Sequence, residues 1–349
     1  MIRKLTAAFA ALLLVFNMAA SSVVSADTSK KAKTNALVSM LPASDVVVTA
    51  DGKRFFTEAL PKVLSANQAA LKDIFAHVDS VQAKTGIDLR KFDSFAVGAN
   101  IGKTDGNKFK VAPVVIARGS TDSGTLIEAA KKASEGRFKE ETIAGRTVFV
   151  VAAKDVIELA KKHAPVSANS AKVQTKVTDA VDDMAFSATD ANTIVFGYAT
   201  RVRETLERRS AVSAELLSLL AKKPAGVVNF AGKVPGGMST LLPLDNDDLG
   251  ANIDSIKMMY GAMDVANGNA ILSLTAVTAK ATQAEELKGT LEGLRDLGKS
   301  LFQFSKGADK KLYAKLLGDI KITNVANEIN LDLAIPQTDL DALVAMLKK

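Results

Sequence analysis

Residues 92–118, FDSFAVGANIGKTDGNKFKVAPVVIAR, contain two apolar segments separated by a polar turn. Segments 92–101 and 109–118 have the β-branched and aromatic content of strands, and Asp105-Gly106 between them is a strong hairpin signal. A helix is predicted next, over 123–134, because its apolar residues fall on one face. This part of the chain therefore predicts an antiparallel hairpin followed by a helix.

The same unit recurs four more times. The further strand pairs are predicted at 138–143 with 147–152, 185–189 with 193–198, 256–264 with 270–279, and 320–323 with 328–334. The helices that follow them are predicted at 154–163, 202–209, 282–302 and 339–347. Hairpins in succession favour antiparallel pairing, and the helices need a sheet face to cover. We predict an α+β fold of curved antiparallel sheets layered by helices.

Two segments resemble each other as the starts of two halves. Residues 41–48 and 223–230 each run from a Pro-Ala pair into an apolar strand, and the first is followed by a predicted helical region over 53–85. We predict a duplicated module. The domains are a leader at 1–26, a flexible tail at 27–36, a first module at 37–222 and a second module at 223–349.

The N-terminus has the pattern of a signal peptide. Arg3 and Lys4 precede an apolar stretch, and Val24-Ser25-Ala26 is a small-residue cleavage site. An uncleaved anchor is the alternative, because residues 5–26 approach the roughly 20 residues needed to cross a bilayer. We expect cleavage after Ala26, a mature protein in the periplasm or secreted, and no transmembrane helix after cleavage.

Composition narrows the chemistry. The chain has no cysteine and no tryptophan, so disulfide, thiolate and lipobox chemistry are excluded. The formal charge of +7 includes Arg3 and Lys4 of the leader, and a mild, dispersed excess of this size indicates a solvated surface more than a polyanion partner. The aromatic residues that single-stranded nucleic acid binding needs do not interleave with the basic ones. No specific nucleic acid partner is predicted.

Three motifs of the sequence have residues that could take part in ligand binding. Gly98 to Thr104 resembles a phosphate loop, but the glycine spacing is wrong and a hairpin turn follows, so a turn is predicted. Asp245, Asp247 and Asp248 offer oxygens for a cation, although a turn and helix cap explain them better. The two histidines, His77 and His163, stand in no metal or catalytic pattern. We predict no cofactor and no metal.

Two groups of residues are candidates for binding. Arg201, Arg203, Arg208 and Arg209 form a candidate anion patch, although Glu204 and Glu207 lie at i,i+4 spacing from two of them and predict a salt-bridged solvent face. The glycine- and proline-rich stretch with Lys233, Pro235 and Met238 is the candidate ligand cleft, because it lies near the junction of the predicted modules.

Four segments carry a resemblance to a known group of proteins: Leu41-Pro42-Ala43-Ser44-Asp45, Thr85-Gly86-Ile87-Asp88 with Phe92-Asp93, Asn229-Phe230-Ala231-Gly232-Lys233-Val234-Pro235 and Asn252-Ile253-Asp254-Ser255-Ile256. Through these segments the chain resembles a family of uncharacterised secreted proteins from soil bacteria. The resemblance implies an exported protein of this fold. No known activity accompanies it, so it assigns no functional residue.

The sequence favours a non-catalytic protein that binds or supports a component of the cell envelope, whether protein, lipid or glycan. One alternative is a hydrolase that uses carboxylates alone, for which Asp45, Asp51, Asp88 and Asp93 are the candidates. Another is binding to anionic envelope polymers through Lys30, Lys31, Lys33 and the arginine segment.

Overall fold

The computed structural model describes residues 36–104, 108–163, 182–223, 226–236, 247–304 and 307–346. The leader and almost all of the tail lie outside these ranges, so signal cleavage and a flexible tail stay predictions. Within the described ranges, no helix combines the length and the apolar character that crossing a bilayer requires.

The described chain forms two compact units. Unit 1 contains residues 36–53 and 73–213, and unit 2 contains residues 54–72 and 214–346. Segment 54–72, which is part of the predicted first module, packs with the C-terminal unit. The division into modules at 37–222 and 223–349 stays a prediction.

Each unit contains an antiparallel sheet. The strands described in unit 1 are β1 Val46–Asp51, β2 Phe92–Thr104, β3 Lys108–Gly119, β4 Lys139–Ile143, β5 Arg146–Val151, β6 Met184–Asp190 and β7 Thr193–Tyr198. Those described in unit 2 are β8 Val228–Lys233, β9 Ile256–Ala266, β10 Asn269–Thr278, β11 Lys321–Val325 and β12 Glu328–Pro336.

Helices alternate with these strands along the chain. The first are α1 Gly52–Arg54, a π-helical turn at Phe55–Ala59, α2 Leu60–Val63, α3 Gln68–Thr85 and a 3₁₀ turn at Leu89–Lys91. The others are α4 Ser123–Ala133, α5 Ala153–His163, α6 Ala199–Glu207, α7 Ala214–Lys222, α8 Asp247–Asp254, α9 Ala281–Gln303, α10 Ala308–Asp319 and α11 Gln337–Met346.

The strands of the two units follow one topology. The strand order is β1-β2-β3-β7-β6-β5-β4 in unit 1 and β8-β9-β10-β12-β11 in unit 2. In both units the first strand pairs with the first strand of the hairpin that follows it. The second strand of that hairpin then pairs with the second strand of a later hairpin. Unit 1 adds the β4–β5 hairpin at one edge. A duplicated module would produce this common order.

The predicted fold class is confirmed, because each of the five predicted hairpins forms an antiparallel strand pair followed by a helix. Local turn chemistry explains the registers. In the β9–β10 turn both Asn267 (φ 49°) and Gly268 (φ 83°) are left-handed, a conformation that Asn and Gly adopt most readily.

Apolar residues of alternate strand positions form a core in each unit. In unit 1, Phe92, Ala117 and Leu126 are buried together, which joins the β2–β3 hairpin to α4. In unit 2 a core cluster joins α9 to the sheet, and its members are Ala276, Ala284, Leu287, Ile322 and Ile329. Burial of each leucine, isoleucine or phenylalanine side chain in these clusters stabilises the fold by roughly 1.5–3 kcal/mol.

The predicted helical region over 53–85 is divided: its first helical segments end at Val63, and α3 begins at Gln68, where the Asn67 side chain accepts a hydrogen bond from the Ala70 amide. One local prediction was wrong. The segment from Gly98 to Thr104, expected as a turn, is the second half of β2. The two strands of this hairpin pair as far as Thr104 and Lys108.

Candidate functional site

A row of exposed apolar side chains lies on the C-terminal half of α9. Leu294 is 41 % exposed, Leu297 58 %, Leu301 62 %, and Phe304, at the C-cap, 84 %. Since successive helical residues are about 100° apart, the four side chains fall within an arc of about 80°. We call this row the α9 stripe.

The sequence of α9 explains why the stripe is uncovered. In the first half of the helix, Ala284 and Leu287 are fully buried against the sheet of unit 2, and Leu291 packs beside them. The apolar spacing then continues for three more turns. There α10 covers only the side of α9 that carries Gly298 and Phe302, so the neighbouring side stays exposed.

Two contacts define the side that α10 covers. The Phe302 and Tyr313 ring centroids are 5.7 Å apart. A Cβ added to Gly298 would lie 3.0 Å from Leu317 Cδ1, so the glycine permits the close approach of the two helices. The stripe is therefore the part of an otherwise packed helix pair that has no covering element within the described chain.

The segment around the stripe is basic. Residues 295–315 contain six basic and two acidic residues, a net charge of +4. Arg295 is bonded to Asp296 at 2.9 Å, and Lys315 forms an ion pair with Asp339. Lys299 interacts with Asp296 and, at about 100° per residue, lies on the side of α9 opposite the stripe. Among the described residues, Lys310 and Lys311, in the first turn of α10, form no ion pair. An apolar surface followed closely in the chain by two such lysines has the composition of an interaction surface.

A second candidate is a polar network on the sheet of unit 2. Lys223 Nζ donates to Ser273 Oγ at 2.5 Å, and Ser273 Oγ donates to Asp332 Oδ1 at 2.7 Å. A serine between a lysine and a carboxylate is an arrangement that nucleophilic catalysis can use. Ser273 is only 3 % exposed, however, so a substrate cannot reach its hydroxyl in this conformation.

The neighbouring groups extend this network. Tyr260 donates to Glu328 Oε2 at 2.9 Å, Glu328 also pairs with Lys222, and Thr275 donates to Asn330 at 2.7 Å. Burial is the main cause that raises the pKa of Tyr260 to about 12; the Thr275 hydrogen bond opposes it and Glu328 adds to it. These groups satisfy one another, as buried polar groups must, and the network joins strands β9, β10 and β12.

The four arginines of the predicted anion patch have different environments. Arg201 is 3 % exposed and donates to Ala43 O at 2.7 Å and to Ser44 Oγ at 2.9 Å, so it lies beneath the surface that such a patch would use. Arg203 pairs with Glu141 at 2.8 Å and Arg209 with Glu207 at 2.6 Å. Arg208 is the left-handed C-cap of α6. Anion binding at α6 stays a prediction.

The ion pairs at α6 also differ from the predicted ones. The i,i+4 spacing predicted Arg203 with Glu207 and Glu204 with Arg208, whereas Glu204 pairs with Arg201 and Arg203 reaches β4. The helix begins three residues earlier than predicted, at Ala199, and turns Arg201 towards the core of unit 1.

The predicted ligand cleft is only partly described. Lys233 is exposed at the end of β8, Pro235 is half-buried after it, and Met238 lies outside the described residues. The Val234 amide donates to Lys257 O at 2.9 Å, which extends the β8–β9 pairing by one bond. A cleft at these residues stays a prediction.

The four candidate carboxylates do not converge on one point. Asp45 accepts a hydrogen bond from the Ile101 amide at 3.0 Å, whereas Asp51 pairs with Ser94 at the other end of β1, about 20 Å away at the rise of a strand. Asp93 is exposed beside Ser94. Burial would raise the pKa of Asp88, but its hydrogen bonds from Arg90 outweigh this and lower it.

The remaining candidates for metal binding are only partly described. His77 is exposed and its Nδ1 lies 2.5 Å from the Asp73 carbonyl of the same helix. The side chains of His163, Asp247 and Asp248 and the whole of Asp245 are outside the described part of the chain. Among the side chains that are described, no three acidic or histidine groups cluster closely enough to hold a metal ion.

Sequence reasoning missed both the α9 stripe and the Ser273 network, although each left a signal. Leu294, Leu297, Leu301 and Phe304 follow the i, i+3, i+7, i+10 spacing of a helix face that continues beyond the residues needed to cover the sheet. The network residues alternate with core residues along β12, where Glu328, Asn330 and Asp332 lie on the face opposite Ile329 and Leu331.

Comparisons with known proteins add little to this geometry. No family model matches the sequence, and no curated protein matches it. Crystal form I of TP0453 has a similar structure, with a TM-score of 0.42 and 8 % identity over 89 % of this chain and 97 % of that chain. Crystal form IV of TP0453 matches with a TM-score of 0.42 and 9 % identity over 91 % and 99 % of the two chains. Similarity at this level transfers no function.

Proposed function

We propose that this chain is a non-catalytic binding protein of the extracytoplasmic compartment and that it contacts its partner through the α9 stripe. The α9 stripe is the observation that carries the proposal. Leaving four large apolar side chains exposed in a row, when the same helix buries Leu287 completely, is costly unless a partner covers them.

The polar chemistry of the described chain supports a non-catalytic role. The Ser273 hydroxyl is closed off by its own partners, and Asp45 and Asp51 are too far apart for the 5 to 10 Å spacing of a carboxylate pair. These contacts fit a structural use of the groups, and they favour binding over hydrolysis.

Site-specific photo-crosslinking tests the proposal. A benzophenone amino acid replaces Phe304 in the full chain, and the matched control replaces Val325, which is 68 % exposed at the end of β11 in the same unit. We expect a discrete crosslinked product from position 304 in intact cells and none from position 325. Equal yields at the two positions, or no product at either, would contradict a docking role for the stripe.

A further inference from the structure

We infer that the partner of the α9 stripe is an anionic phospholipid surface, an inference that rests on the proposed binding function and makes it specific. The stripe supplies the apolar contact, and Lys310 and Lys311 at the start of α10 supply the charge. Neither feature alone would identify the partner, and their position on one helix pair is what favours a lipid interface.

The geometry of the stripe suits a membrane interface. From Leu294 to Phe304 the helix rises about 15 Å, and its exposed side chains point to one side. A helix lying in the plane of a bilayer buries an apolar face of this kind about 5–10 Å deep, at the boundary between headgroups and acyl chains. Exposure increases towards Phe304, at the end of the helix, so the C-terminal end would enter most deeply.

The charge of the residues near the stripe indicates whether the lipid surface is anionic or neutral. The segment 295–315 carries a net charge of +4, and Lys310 and Lys311, in the first turn of α10 just after Phe304, form no ion pair among the described residues. Basic residues beside a membrane-bound helix are attracted by anionic headgroups and gain little from neutral ones. The charge pattern therefore favours anionic over zwitterionic lipid.

The same charge argues against a second copy of this chain as the occupant. Two α9 stripes facing each other would bring two segments of charge +4 together, and like charges across an interface oppose association. An acidic protein with an apolar face would be compatible with the stripe. The experiment below separates that occupant from a bilayer.

Vesicle sedimentation with the exported chain tests the inference. Vesicles of phosphatidylethanolamine with phosphatidylglycerol are compared with vesicles of phosphatidylcholine. The test variant is the triple substitution Leu297→Gln, Leu301→Gln and Phe304→Gln, and the control is Val325→Gln, which changes an equally exposed apolar residue outside the stripe. Because every substituted side chain is exposed, the circular dichroism of both variants should match that of the parent.

We expect the parent and V325Q to bind the anionic vesicles with the same affinity. The triple variant should bind them at least about tenfold more weakly, because it loses apolar contact and keeps every lysine. Phosphatidylcholine vesicles should bind the parent at least about tenfold more weakly than the anionic ones. Equal binding of parent and triple variant would overturn the inference, since it would assign the attraction to charge elsewhere, including Lys30, Lys31 and Lys33.

The two proposals fail separately. If vesicles do not bind the parent while position 304 still crosslinks to another protein, the lipid inference is wrong and the binding function stands. A crosslink between two copies at position 304 would also overturn the lipid inference. If neither vesicle binding nor crosslinking occurs, both proposals are wrong.

Discussion

Arg201→Met should destabilise unit 1 strongly, because Arg201 fixes the segment that precedes β1 from inside the core. Its guanidinium donates to Ala43 O and Ser44 Oγ and pairs with Glu204. When the Asn100 side-chain amide is oriented with its oxygen towards Arg201, that oxygen accepts a further hydrogen bond from Arg201 Nη1 at 3.1 Å. Methionine replaces most of the volume and none of the bonds.

The magnitude follows from the groups left without partners. Removing one partner of a buried ionic network costs about 3–5 kcal/mol when the remaining charge stays buried. Glu204 is about one-third exposed and can be hydrated, and Ser44 keeps its hydrogen bond to Pro42 O. The free-energy cost of losing the arginine is therefore smaller at these two residues. The Arg201 Nε atom is also buried without a hydrogen-bond partner among the described residues, which reduces the net value of the native arrangement. We expect a loss of about 2–4 kcal/mol.

Hydrogen exchange measured by mass spectrometry is the assay. The free energy of the opening that exposes an amide to exchange should fall by about 2–4 kcal/mol for the amides of β1, of the first half of β2 and of α6. Arg203→Met is the matched control on the same helix, since both Arg203 and Glu141 are nearly half exposed and their pair is worth no more than about 1 kcal/mol. A loss in R201M no larger than that in R203M would refute the reasoning.

Two further predictions concern a titration and a cleavage. The pKa of Tyr260 is raised to about 12, so the folded state keeps a proton that the unfolded chain releases above pH 10. The contribution to stability is therefore present below pH 10 and is lost as pH rises towards 12. Burial also raises the pKa of Tyr198, so tyrosinate absorbance should show late ionisation that Tyr260→Phe reduces without abolishing, and an unchanged titration would contradict the assignment. If residues 1–26 are a cleaved leader, N-terminal sequencing of the exported protein should begin at Asp27, whereas an intact Met1 in the exported protein would contradict cleavage.

The sequence allowed the sheets to be predicted because their signals are local. Turn residues such as Asn267-Gly268 mark where a chain reverses, and alternation such as that from Ile329 to Ile335 marks which face is buried. The helices α7 and α10 were not predicted, because each follows another helix and no turn signal announces it. The pairing of β7 with β3 and of β12 with β10 joins strands distant in sequence, which local pattern does not specify.

The candidate site was harder to predict for a physical reason. Apolar spacing indicates which residues of a helix share a face, but it does not tell whether another element covers that face. Leu287 and Leu301 occupy nearly the same side of α9, and only the extent of the sheet and of α10 leaves the first buried and the second exposed. In the same way, the polar face of β12 suggests solvent, whereas Asp332 and Glu328 are bonded to residues of β9, β10 and α7.

The common topology of the two units shows which part of α9 is additional. In both units a helix follows the first hairpin and packs on the sheet: α4 in unit 1, with 11 residues, and α9 in unit 2, with 23. At about 1.5 Å per residue α4 is about 17 Å long, which is enough to cover its strands. The first 11 residues of α9, up to Leu291, do the corresponding packing, and the stripe begins only after them, at Leu294. Between the same two hairpins unit 1 instead has β4, β5 and α5. Because the covering role is complete before Leu294, packing on the sheet and against α10 explains Gly298 and Phe302 but not the four residues of the stripe. An apolar face that no described element covers is consistent with contact outside the described part of the chain.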